Sequence, residues 1–317
     1  MSTSGTYTYS TTGTAIVDFA LRKCGIIAEG ETATASMLAK GLVDLEFMTK
    51  AWQAEGLHLW KYEEMILFLV TSQQSYDLGP SGGNFVKKAD LVTTAVKVAG
   101  VSTDLTIDVD SITGISSGDY IGVVIDDNTI HWTTVNGAPA GDTVTLTVAL
   151  DGAVAVDNVV YAYTAKAPRP LQVTHGRVQV ESSSETILNL RGREDYFTLS
   201  NKSSAGVAVE AYYNPSLTNG KLYVWPTASD ETVYLNLTTQ IPIEDFTVAS
   251  NNPDFPQEWF LPLGWGLAQQ IYLDYGVIDQ VTIQKIEKEA DKWYQKVSDF
   301  DEEDTSLVFG IEYSDGR

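Results

Sequence analysis

The hydrophobic period changes twice along this chain of 317 residues, so one uniform architecture cannot accommodate all of it. Leu38, Leu42, Leu45, Met48 and Trp52 recur at spacings of 4, 3, 3 and 4, which is one face of an α-helix. This predicts a helix from about Thr34 to Glu55, with Gly56 as its C-cap. A Ser/Thr/Gly-rich arm over residues 1–13 leads into a shorter helix, from Thr14 through Ile16, Phe19 and Ala20 to a stop at Gly25. Met65 to Val70 is an apolar run that predicts a strand, closed by Tyr76-Asp77-Leu78-Gly79-Pro80. From about Phe85 to Lys166 the period becomes two. Leu105, Ile107 and Val109 alternate with polar residues, as do Ile121, Val123 and Ile125, then Val144, Leu146, Val148 and Leu150, then Val159, Tyr161 and Tyr163. Asp127-Asn128 and Asn136-Gly137 supply turns between them. Short alternating runs with turns every few residues predict an antiparallel sandwich or barrel.

After Ala167-Pro168-Arg169-Pro170 the pattern stays strand-like over Leu171–Val180, Val207–Tyr213, Lys221–Trp225 and Thr232–Leu237. Helical spacing then returns with Leu267, Ala268, Ile271, Tyr272 and Tyr275. Gly276 permits a break, and Asp279 is placed to cap a last helix carrying Val281, Ile286, Ala290, Trp293 and Val297. The expected fold class is therefore α+β. Residues 1–84 and 167–300 form a discontinuous helical and β core, 85–166 an inserted all-β domain, and 301–317 an extended C-terminal tail.

Charge narrows the function. The formal net charge is −22, from 42 Asp+Glu against 20 Lys+Arg. Proteins that clamp the DNA backbone present basic patches, and none occurs here. Attraction to anionic membranes is disfavoured for the same reason. Residues 1–14 lack the basic and apolar regions of a signal peptide.

Patterns for chemistry are weak. His58, His131 and His175 are scattered, and a single cysteine, Cys24, allows neither a disulfide nor a zinc cluster. Cys24 sits in the apolar pattern of the first helix, as a small buried hydrophobe does. Gly79-Pro80-Ser81-Gly82-Gly83 lacks the Lys and Ser/Thr of a phosphate loop. Asp108 and Asp110 share the solvent face of a strand without the rest of a calcium loop. Trp52, Trp60, Trp225, Trp259, Trp265 and Trp293 sit where core residues sit, although aromatics also build sugar platforms. The expectation is a protein that is not an enzyme and takes no cofactor or metal.

The runs Ala20-Leu21-Arg22-Lys23-Cys24-Gly25-Ile26-Ile27 and Ala51-Trp52-Gln53-Ala54-Glu55-Gly56-Leu57-His58-Leu59-Trp60 carry a resemblance. So do Arg169-Pro170-Leu171, Tyr212-Tyr213-Asn214-Pro215, Leu222-Tyr223-Val224-Trp225-Pro226 and Asp254-Phe255-Pro256-Gln257-Glu258-Trp259, in that order. The chain resembles the head-to-tail adaptor proteins of short-tailed bacteriophages, also called tail accessory factors or packaged-DNA stabilisation proteins. The resemblance covers about 1–80 and 167–300 and omits 85–166. It implies a helical-bundle adaptor core and a homo-oligomeric ring, usually a dodecamer, below the portal at the head-tail vertex of the virion. Its implied partners are the portal protein and the tail hub and nozzle proteins. Double-stranded DNA would pass through the ring without specific binding, and no membrane is involved.

The segment after the last predicted helix fits such a role on its own physics. Asp299, Asp301, Glu302, Glu303 and Asp304 make an acidic hinge. Leu307, Phe309, Ile311 and Tyr313 then alternate, giving one apolar edge able to meet the portal or a neighbouring subunit by strand addition. The alternative reading is a phage tail protein that binds or degrades carbohydrate, with the β domain and exposed aromatics as its site.

Overall fold

A computed structural model describes residues 5, 8–55, 59–180, 184–246, 248 and 250–300. The chain divides into two compact units, one running to Trp60 and resuming at Ile243, the other Lys61–Pro242.

The first unit is helical. It contains α1 (Gly13–Lys23), α2 (Ala35–Ala54), α4 (Phe260–Ile271) and α5 (Gln280–Ser298). Thr12, Thr34 and Asp279 cap three of these helices, each side-chain oxygen accepting a backbone N–H three residues on. Among them α4 is the central element: its residues from Pro262 to Ala268 are all buried, so it needs neighbours on every side. Close approach is bought with glycine: a Cβ at Gly264 would lie 2.5 Å from the Phe19 ring, and one at Gly266 2.8 Å from Trp52. Aromatic rings fill the centre. Trp259 is 2% exposed. Its ring centroid lies 5.1 Å from that of Trp60, 5.8 Å from Trp52 and 5.9 Å from Phe255. Trp52, Trp60 and Trp259 are therefore core, as is Trp265, which packs edge-on against Phe19. Cys24 is buried there too; burial pushes its thiol up to about 11, and its Sγ donates to the Ala268 carbonyl.

The second unit holds the sheets. Its strands are β1 (Tyr62–Phe68), β2 (Ser75–Leu78), β3 (Phe85–Lys87), β4 (Val92–Val98), β5 (Thr106–Val109), β6 (Tyr120–Val124), β7 (Ile130–Thr134), β8 (Thr143–Thr145) and β9 (Val159–Tyr163). There follow β10 (Gln172–Val180), β11 (Ser184–Leu190), a short α3 (Arg193–Thr198), β12 (Ala205–Gly206), β13 (Glu210–Asn214), β14 (Gly220–Trp225), β15 (Thr227–Ala228) and β16 (Tyr234–Gln240).

Six strands in the order β7-β6-β9-β4-β5-β8 form one antiparallel sheet. Its two ends meet through a bridge between Val135 and Leu146, flanked by hydrogen bonds from Asn136 to Thr145 and from Thr147 to Thr134. Joining the ends removes exposed edges. The buried core of this sheet is entirely aliphatic, including Val96, Ile107, Val109, Ile121, Val123, Val144 and Leu146.

Eight strands in the order β2-β14-β13-β11-β10-β16-β1-β3 form the other sheet. Its pairings are antiparallel except β11 with β13. The unbroken apolar run in β1 has a structural cause. Met65 and Leu67 face the core of this sheet, while Ile66 and Phe68 face a seam shared with the six-stranded sheet, so both strand faces are buried. Phe68 is the pin of that seam, with ring centroids 4.9 Å from Trp132 and 4.7 Å from Tyr161.

The expected helical-bundle adaptor core does not form. The chain is mostly β, at 30% strand and 27% helix, with the sheets curled into a near-barrel and a half-barrel. The reason is pairing across the middle of the chain. Strands before residue 88 and after 171, which the sequence reading attached to the helices, join each other as one large sheet with its own core. The extended tail, residues 301–317, lies outside the described residues.

Candidate interaction site

Helix α2 is apolar on two faces. Leu45 and Met48 point into the helical core, with Leu38, Leu42 and Trp52 half-buried at its margin. A second stripe, Ala35, Ala39, Val43 and Phe47, recurs every fourth residue and is exposed, Val43 by 51% and Phe47 by 70%. Between the two runs a polar stripe, Glu46, Lys50 and Gln53, at the i, i+4, i+7 spacing of one helix face. That stripe clamps a returning segment. Lys50 Nζ donates to the Ile243 carbonyl at 2.6 Å, Gln53 Oε1 accepts from Ile243 N–H at 3.0 Å, and Glu46 Oε2 accepts from Phe246 N–H at 2.9 Å. Lys50 also pairs with Asp245 at 2.7 Å and Glu46 at 3.3 Å, and its hydrogen bond holds the Asp245 carboxyl below the usual carboxylate range.

The clamp places Phe246 and Val248 opposite the exposed stripe. Together with Leu38, Leu42, Val43 and Phe47 they line a groove of about 640 Å³. Its floor is hydrocarbon, and its charged groups, Glu46 and Asp245, are already engaged with Lys50. Such a groove suits an apolar segment.

The β unit holds a second concavity, of about 590 Å³, between β1 and β16 on one side and β4 and β9 on the other. Ile66, Leu91, Val159, Tyr161 and Tyr234 form its walls, with Lys88 and Asp230 among the lining residues. Burial pushes the Tyr161 hydroxyl up to about 12 and raises that of Tyr234. Both phenols therefore keep their protons at neutral pH and can donate hydrogen bonds. The Asp230 carboxylate is turned to local work, accepting from the Thr232 N–H and hydroxyl at 2.8 and 2.7 Å.

The tail residues Leu307, Phe309, Ile311 and Tyr313 lie outside the described residues, as does His58. His131 is buried, with Nδ1 3.0 Å from Asp151 and Nε2 3.3 Å from the Val148 carbonyl; His175 contacts only Thr174 among the hydrogen bonds described for it. Asp108 accepts a hydrogen bond from the Thr143 hydroxyl of the neighbouring strand. Among the described residues no group of three His, Cys, Asp or Glu side chains converges as a metal site, and no helix is long and apolar enough to cross a membrane. The outer stripe of α2 escaped the sequence reading. Its signal was present, as a period of four beside the inward face, but apolar side chains on an already amphipathic helix are easily absorbed into the core stripe.

No family model matches the chain, and no curated protein matches it significantly in sequence.

Proposed function

We propose that this chain is a structural virion protein of a short-tailed phage. It assembles as a homo-oligomeric ring below the portal, extends the DNA channel, helps retain packaged DNA and presents the surface to which tail hub and nozzle proteins attach. The observation that carries this reading is the second apolar face of α2. It is exposed and walled by a segment that Lys50, Gln53 and Glu46 hold in place. Faces of this kind mark contacts with other protein. The role rests on that surface and on the residue resemblance, not on a shared bundle, since one fold hosts many functions and one function many folds. The acidic excess supports the reading as well. With 42 acids against 20 bases in each subunit, an acidic channel wall would give DNA no counterion release on contact, and DNA would move past it without sticking.

Electron microscopy of the purified chain mixed with the portal protein of the same phage tests the proposal. Rings coaxial with the portal are the expected result. A chain that stays monomeric at every concentration and never joins the portal would sink it.

A second reading, a virion protein that binds glycans, draws on the tyrosine-walled cleft of the β unit. Protonated phenols above an apolar floor are groups a sugar ring uses. Screening against a glycan array decides it: silence across the array removes this reading.

A further inference from the structure

The groove on α2 has walls, a length and an orientation, and these select an occupant. We propose that it receives residues 307–313 of a neighbouring copy of this chain. The inference rests on the ring-forming reading above and supplies the contact that would build the ring.

Length is the first argument. The exposed stripe from Ala35 to Phe47 covers twelve helical steps, about 18 Å. An extended segment from Leu307 to Tyr313 covers six strand steps, about 20 Å. In that conformation Leu307, Phe309, Ile311 and Tyr313 fall on one side, and the groove offers Leu38, Leu42, Val43, Phe47 and Phe246 to meet them.

Direction is the second. Lys40, near the start of α2, pairs with Asp274 just beyond α4, whereas Trp52 near its end packs against Trp259 just before α4. So α4 runs antiparallel to α2. Helix α5 reverses again: Tyr294, late in α5, packs at a tilt against Trp52 and donates to Glu55. It therefore runs in the same sense as α2, and its last turns lie beside the end of α2, past the groove residues Ala35–Phe47. To lie in its own groove the segment would have to double back along α2, a reversal that a neighbouring copy's groove does not impose. Contact between a segment of one copy and a groove of the next is heterologous, and heterologous contacts propagate, closing into rings where the rotation between copies closes.

Complementation in the full-length chain tests this. One variant, Leu307→Ser with Phe309→Ser, loses the segment's apolar edge. A second, Val43→Asp with Phe47→Asp, loses the groove. Val43 and Phe47 are exposed, so the second variant is expected to keep the wild-type melting profile. Sedimentation velocity is expected to show self-association of the wild type, weakened about tenfold or more in each variant alone. Mixed, the two variants are expected to form a dimer that grows no further, because each supplies the half the other lacks. A wild type that is monomeric at high concentration, a groove variant that associates like wild type, or a mixture that stays monomeric overturns the proposal.

Cross-linking fixes the copy. Val43→Cys in one chain and Phe309→Cys in another are expected to give a disulfide-linked dimer, with buried Cys24 not competing. A doubly substituted chain that forms only the internal bond places the segment on its own α2 and overturns exchange between copies. None of these assays contains portal protein. Complementation without portal binding would remove the vertex role and leave the contact between copies standing.

Discussion

The helical unit and the near-barrel solve the same problem with different side chains. The helical unit closes around Trp259, with Trp52, Trp60, Phe255 and Tyr294 against it. The near-barrel interior closes around aliphatic side chains, with no ring among them. Helices meet as cylinders about 8–10 Å apart, and large rings fill the spaces between them. A curled sheet of six strands leaves a narrow interior that branched aliphatic side chains fill in layers. The difference teaches where each structure is fragile. One places its largest side chain at the centre, where a single truncation opens a large gap, and the other has only Val, Ile, Leu and Ala to lose.

Four substitutions probe that contrast, in descending order of effect. Trp259→Ala removes the centre of the helical core and is expected to cost about 4–5 kcal/mol, at the upper end for buried aromatics. Urea unfolding measures it, and alkylation of Cys24, shielded in the same core, should accelerate in step. A loss under 1 kcal/mol would mean that the neighbouring rings close over the gap. Phe68→Ala opens the seam between the two sheets, where Phe68 is 2% exposed between Trp132 and Tyr161. It is expected to cost about 3 kcal/mol, roughly 6–12 °C in melting midpoint for a unit of this size. An unchanged midpoint with an unchanged near-UV spectrum would show that the seam bears little weight.

Ile121→Val in the near-barrel is expected to cost only about 0.5–1.5 kcal/mol, although Ile121 is fully buried. A loss above 3 kcal/mol would erase the contrast with the helical unit. The smallest effect is expected from Asp279→Ala at the start of α5. The Thr282 hydroxyl and N–H both donate to the Asp279 carboxylate and hold it below its ordinary 3.8. A depressed acid stabilises the fold above its unfolded value, and that contribution is lost as pH falls through the folded value. Wild-type helicity should therefore decline below about pH 3.8 with a component absent from the variant, as followed by far-UV circular dichroism. Superimposable acid profiles would remove Asp279 from the account of α5.

Much of the local structure was legible. A helix begins at Thr34 where periodicity placed it and another at Asp279 where capping chemistry placed it, and Gly276 adopts a positive φ of 68° at the break between α4 and α5. The alternation over Ile121, Val123 and Val144 marks inward positions of the near-barrel. Other signals were weaker. Val148 continues the alternation of Val144 and Leu146 yet is 56% exposed, beyond the end of β8 at Thr145. The groove on α2 was not legible, because it depends on a clamp between Lys50 and Ile243 that links residues far apart in the chain.

By itself the sequence determined the period of each segment, and so which residues share a face, because side-chain direction along a helix or strand is set by local backbone geometry. Tertiary structure alone decided which faces meet. Strand β1 pairs with β16 across some 170 positions, and β11 lies parallel to β13. Those partnerships turned an expected helical bundle into a mostly β molecule. A period specifies that a face must be buried without naming its partner. The partner is chosen by the burial of the whole chain, weighed against loop-closure entropy that grows only slowly with separation.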